Sequence, residues 1–394
     1  MLKKIDFKIF IPYLLLNMIS LLMITSASSY HLDQMQKNTM STGVKQGVFL
    51  ILSLILIAII LRIKLSIFKS NIFQSLMIIG SFVLLFITSI LGLGTVVGGA
   101  QRWLEFGPFR IQPSEVMMIT VILFCAVQFS KKGKTLQHSF FKSILVPGLI
   151  VGSLIFLTLI QPNVGGAAIL TLLFFTMIFA SGISYLYFLG GLLGVFIINF
   201  LATSLIMFKD GALLPQKYAY IFDRFAVMKD PFAYFSTNGY QLSNSYIAIH
   251  NGGWFGQGLG QSIQKKGFLP VTETDFIFSL ITEELGIIAS IGILLLLFLL
   301  ILRILAIGVQ IQDPFNSLVC LGTGAVLLIQ TFVNLGGILG IIPLTGVPLP
   351  FMSYGGSNLL TLSILIGIVM KISAVEQEKR SMQYASQMNP SFSK

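Results

Sequence analysis

Apolar positions in this chain fall in blocks. Runs such as "VFLILSLILIAIIL" (48–61) and "IIASIGILLLLFLLIL" (287–302) carry no charge, and short segments with Lys, Gly or Pro separate them. A helix needs about 20 apolar residues to cross a bilayer. Ten segments read as spans: 9–29, 46–62, 72–93, 113–130, 143–160, 165–183, 185–208, 276–303, 315–336 and 357–374. The pattern predicts an all-α polytopic integral membrane protein. One ten-helix domain covers 1–374, with a long loop at 209–275 between spans seven and eight. A polar, disordered tail is expected over 375–394.

Composition agrees, at 55% hydrophobic and 10% charged residues with mean hydropathy +0.90. A soluble domain carries about 25% charged residues. The net charge of +11 does not indicate nucleic acid, because the basic residues cluster in short loops beside the spans. With both termini cytoplasmic, the inside segments hold 15 Lys and Arg. The short outside loops hold four: Lys37, Lys45, Arg102 and Arg110. The first apolar run is too long for a signal peptide and stays as an anchor. Cys125 and Cys320 sit inside apolar runs without metal-ligand spacing, as small buried hydrophobes do.

This orientation puts three segments rich in Gly, Pro and aromatics on the outer face: 94–115, 209–275 and 337–357. In the first, Pro113, Ser114 and Glu115 form a helix start, and Trp103 is an interfacial anchor. Arg102 and Arg110 offer two guanidinium groups suited to phosphate. "QPNVGGAA" (161–168) reads as a tight re-entrant turn. Gly256, Gly258 and Gly260 echo a nucleotide loop, but no strand precedes them. Lys265 and Lys266 are either snorkelling anchors or ligands for an anionic headgroup. His250 on its helix face reads as structural. Pro343, Pro348 and Pro350 enforce a non-helical excursion that must line a cavity or pack on protein.

Four carboxylates stand at the mouth of the eighth span: Glu273, Asp275, Glu283 and Glu284. On a helix, Asp275 and Glu283 lie about 80° apart around the axis and roughly 12 Å along it. They therefore cannot form the close carboxyl pair of a glycosidase. Asp275 is either the N-cap of the span or a general base whose pKa is raised at the interface. Glu283 and Glu284 lie deeper and are expected to hold helices together or hydrate the bundle.

The segments "QRWLEFGPFRIQPSE", "GYQLSNSYIAIHNGGWFGQGLGQSIQKKGFLP", "TDFIFSLITEELG" and "GVPLPFMSYGGSNLL", in this order, resemble the SEDS family (shape, elongation, division and sporulation proteins) over nearly the whole chain. "YQLSNSYIAI" and "SIQKKGFLP" are more similar to its division branch, FtsW, than to its elongation branch, RodA. The resemblance implies the SEDS fold and a peptidoglycan glycosyltransferase of the bacterial plasma membrane, active on the outer face at the division septum. It would polymerise lipid II and release undecaprenyl pyrophosphate. It also implies that Asp275 is the catalytic base and that a class B penicillin-binding transpeptidase and other membrane division proteins are partners. Arg102, Arg110, Glu115, Lys265, Lys266, Ser353 and Ser357 are the candidates for holding substrate. A divalent cation, Mg or Mn, is the candidate cofactor, although no metal cage is visible; no organic cofactor or nucleic acid is expected. Two departures from the family pattern stand out: Val271 replaces a common Glu, and Met118 replaces a common Lys. A lipid II flippase, a polymerase serving elongation and a division scaffold are the competing readings.

Overall fold

The computed structural model describes residues 5–388 apart from 90–93, 98–99, 108, 132–139 and most of 184–218. Among the described residues, eight helices are long and apolar enough to cross a membrane. They are α1 (Phe7–Gln34), α2 (Ser41–Arg62), α4 (Asn71–Ser89), α5 (Pro113–Lys131), α6 (Phe140–Ile160), α10 (Ile277–Gln310), α11 (Pro314–Ile338) and α12 (Gly356–Met388). A shorter apolar helix, α7 (Val164–Ala180), joins them. Among the described residues three small helices join these: α3 (Leu65–Lys69), α8 (Ala219–Lys229) and α9 (Tyr240–Gly252).

In α5, α11 and α12 the most apolar stretch is 83%, 72% and 83% buried, against 22–39% in the other five long helices. Those three form the centre, and the rest present apolar faces outward. Local chemistry sets the starts. Asp6 caps α1 through Lys8 N (3.1 Å), and Asp313 caps α11 through Asn316 N (2.9 Å) with Pro314 just inside.

The two ends of the bundle are fastened differently. At one end, Arg303 pairs with Asp6 (2.6 Å), Ser373 reaches the same carboxylate (3.2 Å), and Lys69 pairs with Asp313 (2.9 Å). The start of α1 and the C-terminal half of α12 therefore meet there. At the other end, the described parts of 94–112 (94–97, 100–107 and 109–112) converge with 161–163, 219–275 and 339–355.

The all-α membrane fold holds, with one small addition and two corrections. Strands β1 (Thr95–Val97), β2 (Ala100–Phe106) and β3 (Phe109–Ile111) form an antiparallel meander that pairs backbone groups between α4 and α5. The eighth span is broken, because Gly286 sits at φ +83°, ψ 169° inside α10. Finally, the tail expected to be disordered from 375 continues α12 through Met388. Its Glu, Gln, Lys, Arg and Met are good helix formers extending an existing helix, and Lys379 pairs with Glu376 (2.7 Å). The predicted seventh span, 185–208, lies largely outside the described residues.

Candidate functional site

Asp275 precedes the first turn of α10. The side chain does not cap the helix; Phe276 is the N-cap residue and makes no side-chain bond. Its backbone is held instead: the Asp275 carbonyl accepts from Asn334 Nδ2 (3.0 Å), which also donates to the Val347 carbonyl (2.8 Å). One amide of α11 thus ties the acid to the Pro-rich loop. Gly346, at φ +74°, backs onto the acid: a Cβ there would lie 3.4 Å from Asp275 Oδ2.

Ser353 completes the clamp. Its hydroxyl donates to the Thr274 carbonyl (2.6 Å) and accepts from Leu349 N (2.8 Å), while Tyr354 N donates to the Glu273 carbonyl (2.7 Å). The serine therefore positions the turn segment that carries the acid. Burial pushes the Asp275 carboxyl up to about 6; Arg224 opposes this, Glu273 adds to it, and Arg102 opposes it. A carboxyl near 6 is mostly ionised at neutral pH yet more basic than an ordinary carboxylate, which suits a general base.

Two guanidinium groups act on this acid. Arg102, on β2, donates from Nη2 to the Pro162 carbonyl (2.7 Å), and its Nε is buried without a partner. Arg224, on α8, donates from Nη1 to the Leu344 carbonyl (2.5 Å) and lies 5.2 Å from the centre of the Tyr220 ring. The sequence reading missed Arg224. Its only signal was a guanidinium in the apolar-rich run "YIFDRFAVMKD", inside the long outer loop.

The other candidates separate. Glu115 is buried at the start of α5 and is bonded by Ser357, whose hydroxyl also accepts from Gln112 N (3.2 Å); Glu115 Oε2 has no partner. Those two residues are brought together at the same end of the bundle. Arg110 stands opposite Glu105 in the β2–β3 register and pairs with it (2.6 Å). Lys265 does not join the group around Asp275. Its buried ammonium pairs with Glu284 (2.8 Å) and donates to Ser26 (2.9 Å). Lys266 is exposed. Met118 is buried where a cation was a family expectation, and its sulfur accepts from Gln330 Nε2 (3.4 Å).

Glu283 and Glu284 hold the structure together, as expected. Glu283 accepts from Ser262 and from the backbone of Ile263 (3.2 Å) and Gln264 (3.3 Å). The break at Gly286 frees carbonyls, and the glycine-rich loop fills them. Gln257 N donates to Glu283 O and Gly258 N to Glu284 O (both 2.9 Å), while Ile287 N donates to Gly253 O (2.9 Å). Gly256 serves this close backbone approach, since a Cβ there would run into the Glu284 carbonyl and Gly286 N, whereas Gly258 and Gly260 supply the loop's positive φ (+104° and +79°).

These features define a multi-pass membrane protein with a single clamped acid, flanked by cations, at one end of its bundle. The chain belongs to the family of FtsW, RodA and SpoVE cell cycle proteins, whose pattern matches residues 7–378. It is 38% identical over 386 residues to the "Probable peptidoglycan glycosyltransferase FtsW" of Enterococcus hirae, covering 97% of this chain and 95% of that one. Stage V sporulation protein E of Bacillus subtilis is 33% identical over 371 residues, covering 93% and 96%. Among solved structures, a chain of a peptidoglycan synthase complex that coordinates polymerization and crosslinking matches with a TM-score of 0.74 at 23% identity, covering 94% and 97%. The rod shape determining protein RodA of Thermus thermophilus matches with 0.64 at 22%, covering 94% and 96%. Both structures share the fold.

Proposed function

We propose that this protein is a peptidoglycan glycosyltransferase that polymerises lipid II at the outer face of the plasma membrane, for septal wall synthesis in division. The observation that carries this reading is Asp275: a carboxyl raised to about 6, clamped by Asn334 and Ser353 and faced by cations. Its FtsW relatives supply the reaction class.

In the reaction, the 4-hydroxyl oxygen of the acceptor sugar forms a bond to the anomeric carbon of the donor. Asp275 takes the hydroxyl proton as that bond forms. The bond from the anomeric carbon to the diphosphate oxygen breaks, and its electron pair leaves with undecaprenyl diphosphate. Fixed positive charge near the leaving group lowers the barrier where charge develops. Arg102 supplies it.

A divalent cation, Mg2+ or Mn2+, fits the donor chemistry in one form. Among the described residues no three carboxylate, His or Cys side chains gather as a cage, so the substrate phosphates would hold most of the ion, with the Glu273 carboxylate the protein oxygen that leaves Asp275 free as base. Bound there, it would neutralise diphosphate charge. A class B penicillin-binding transpeptidase is the proposed partner, with other division proteins, since the structural relative belongs to a complex that also crosslinks.

The test is polymerisation of labelled lipid II by the purified full chain with its transpeptidase partner and divalent metal. Glycan ladders from wild type and none from folded Asp275→Asn and Asp275→Ala are expected. Undiminished ladders from the variants would remove Asp275 from the mechanism. A wild type that makes none would favour lipid II transport or a scaffold role.

A further inference from the structure

Arg102 and Arg224 come from distant parts of the chain, β2 and α8, yet one side chain links them. The Tyr220 hydroxyl donates to the Pro162 carbonyl (3.2 Å), the same oxygen that holds Arg102, while the Tyr220 ring lies beneath Arg224 at 5.2 Å. The two guanidinium groups are close enough to repel, and both are attracted by Asp275. Each is anchored by one hydrogen bond to a backbone carbonyl, and neither has an ion pair among the described residues. A guanidinium has five N–H donors. Two half-buried cations with donors to spare, held by neutral anchors beside one acid, form an electrostatic deficit that an anion would fill.

We propose that Arg224, together with Arg102, seats the diphosphate of the lipid-linked substrate, with Tyr220 setting the spacing of the two. This rests on the polymerase reading and adds a specific demand. The seat matches two linked phosphates better than one, because each guanidinium can take a separate phosphate.

The experiment compares binding of undecaprenyl diphosphate and undecaprenyl monophosphate to the full chain in nanodiscs, alongside lipid II polymerisation with the transpeptidase partner. Wild type should prefer the diphosphate. Arg224→Gln should lose about tenfold or more of diphosphate affinity, the weight of a charge-assisted contact, and shift monophosphate binding much less. Arg224→Lys should recover part of the preference, since the charge returns without the fork. Tyr220→Phe keeps the ring, loses the bond to Pro162 and should narrow the preference, giving a second reading if Arg224→Gln fails to fold. Equal losses for both lipids would mark Arg224 as structural and overturn the proposal. So would an unchanged preference in Arg224→Gln. If wild type itself neither polymerises nor binds diphosphate, the polymerase reading falls, and this inference with it.

Discussion

Asp275 is a carboxyl whose folded environment works against its own charge. Folding raises its pKa from an ordinary 3.8 to about 6, first through burial, so the folded state holds the proton more tightly than the unfolded chain. The charge therefore opposes folding increasingly as pH rises from about 4 through about 6. Asp275→Asn should be inactive yet melt higher than wild type at pH 7.5, with the gain vanishing near pH 4; thermal unfolding at the two pH values decides it. Activity should run the other way and rise with pH through about 6, because only the ionised base accepts the acceptor proton; initial polymerisation rates across pH 5 to 8 would show the limb. A flat profile over that range would exclude Asp275 as the titrating base. The residue pattern left Asp275 open between cap and base, and the family resemblance pointed to base, while Arg102 stood out as a guanidinium group suited to phosphate. The sequence reading misjudged Lys265, because its partners Glu284 and Ser26 are 19 and 239 positions away, and only packing brings them together. Arg224 was hidden for the same reason, as its anchor Leu344 is 120 positions distant.

At the scale of elements, α10 is two helices joined at a glycine, and the loop 253–265 is its splint. Gly286 lies at φ +83°, and a Cβ there would sit 2.4 Å from the Trp254 carbonyl. Gly286→Ala must therefore displace backbone, and it should destabilise the protein by several times the roughly 1 kcal/mol of an ordinary helix-interior change. Scanning calorimetry of Gly286→Ala against Gly292→Ala, where a Cβ meets nothing within 4 Å, isolates the effect. The Lys265–Glu284 pair fastens the same splint to α1 through Ser26. Lys265→Met or Glu284→Gln alone leaves a buried group unpaired and should cost about 3–5 kcal/mol, whereas the double variant should cost much less than the sum. Additive losses would show that the two do not act as a pair. Span positions were legible because hydropathy dictates them: 113–130 and 315–336 fall within a few residues of α5 and α11. The break at Gly286 was not, since an apolar run reads the same whether or not a distant loop replaces its hydrogen bonds. The β1–β3 meander was equally hidden, its strands being three to seven residues long.

At the scale of the whole molecule, the two ends of the bundle make different demands on topology. The clamped acid, both guanidinium groups and Lys266 gather at one end, and Asp6, Arg303 and the extended α12 at the other. A polymerase that builds wall outside the cell needs the first end outward. The proposed orientation rests on the excess of Lys and Arg in the loops assigned to the second end. Both native thiols, Cys125 and Cys320, are buried, so an introduced cysteine can be labelled against a low background. In intact cells a membrane-impermeant maleimide should label Lys266→Cys, an exposed position just after the splint loop. It should reach Lys379→Cys, exposed on α12, only after the membrane is permeabilised. The reverse pattern would put Asp275 in the cytoplasm, where lipid II is made rather than polymerised, and would turn the same acid and cations into the inner gate of a transporter.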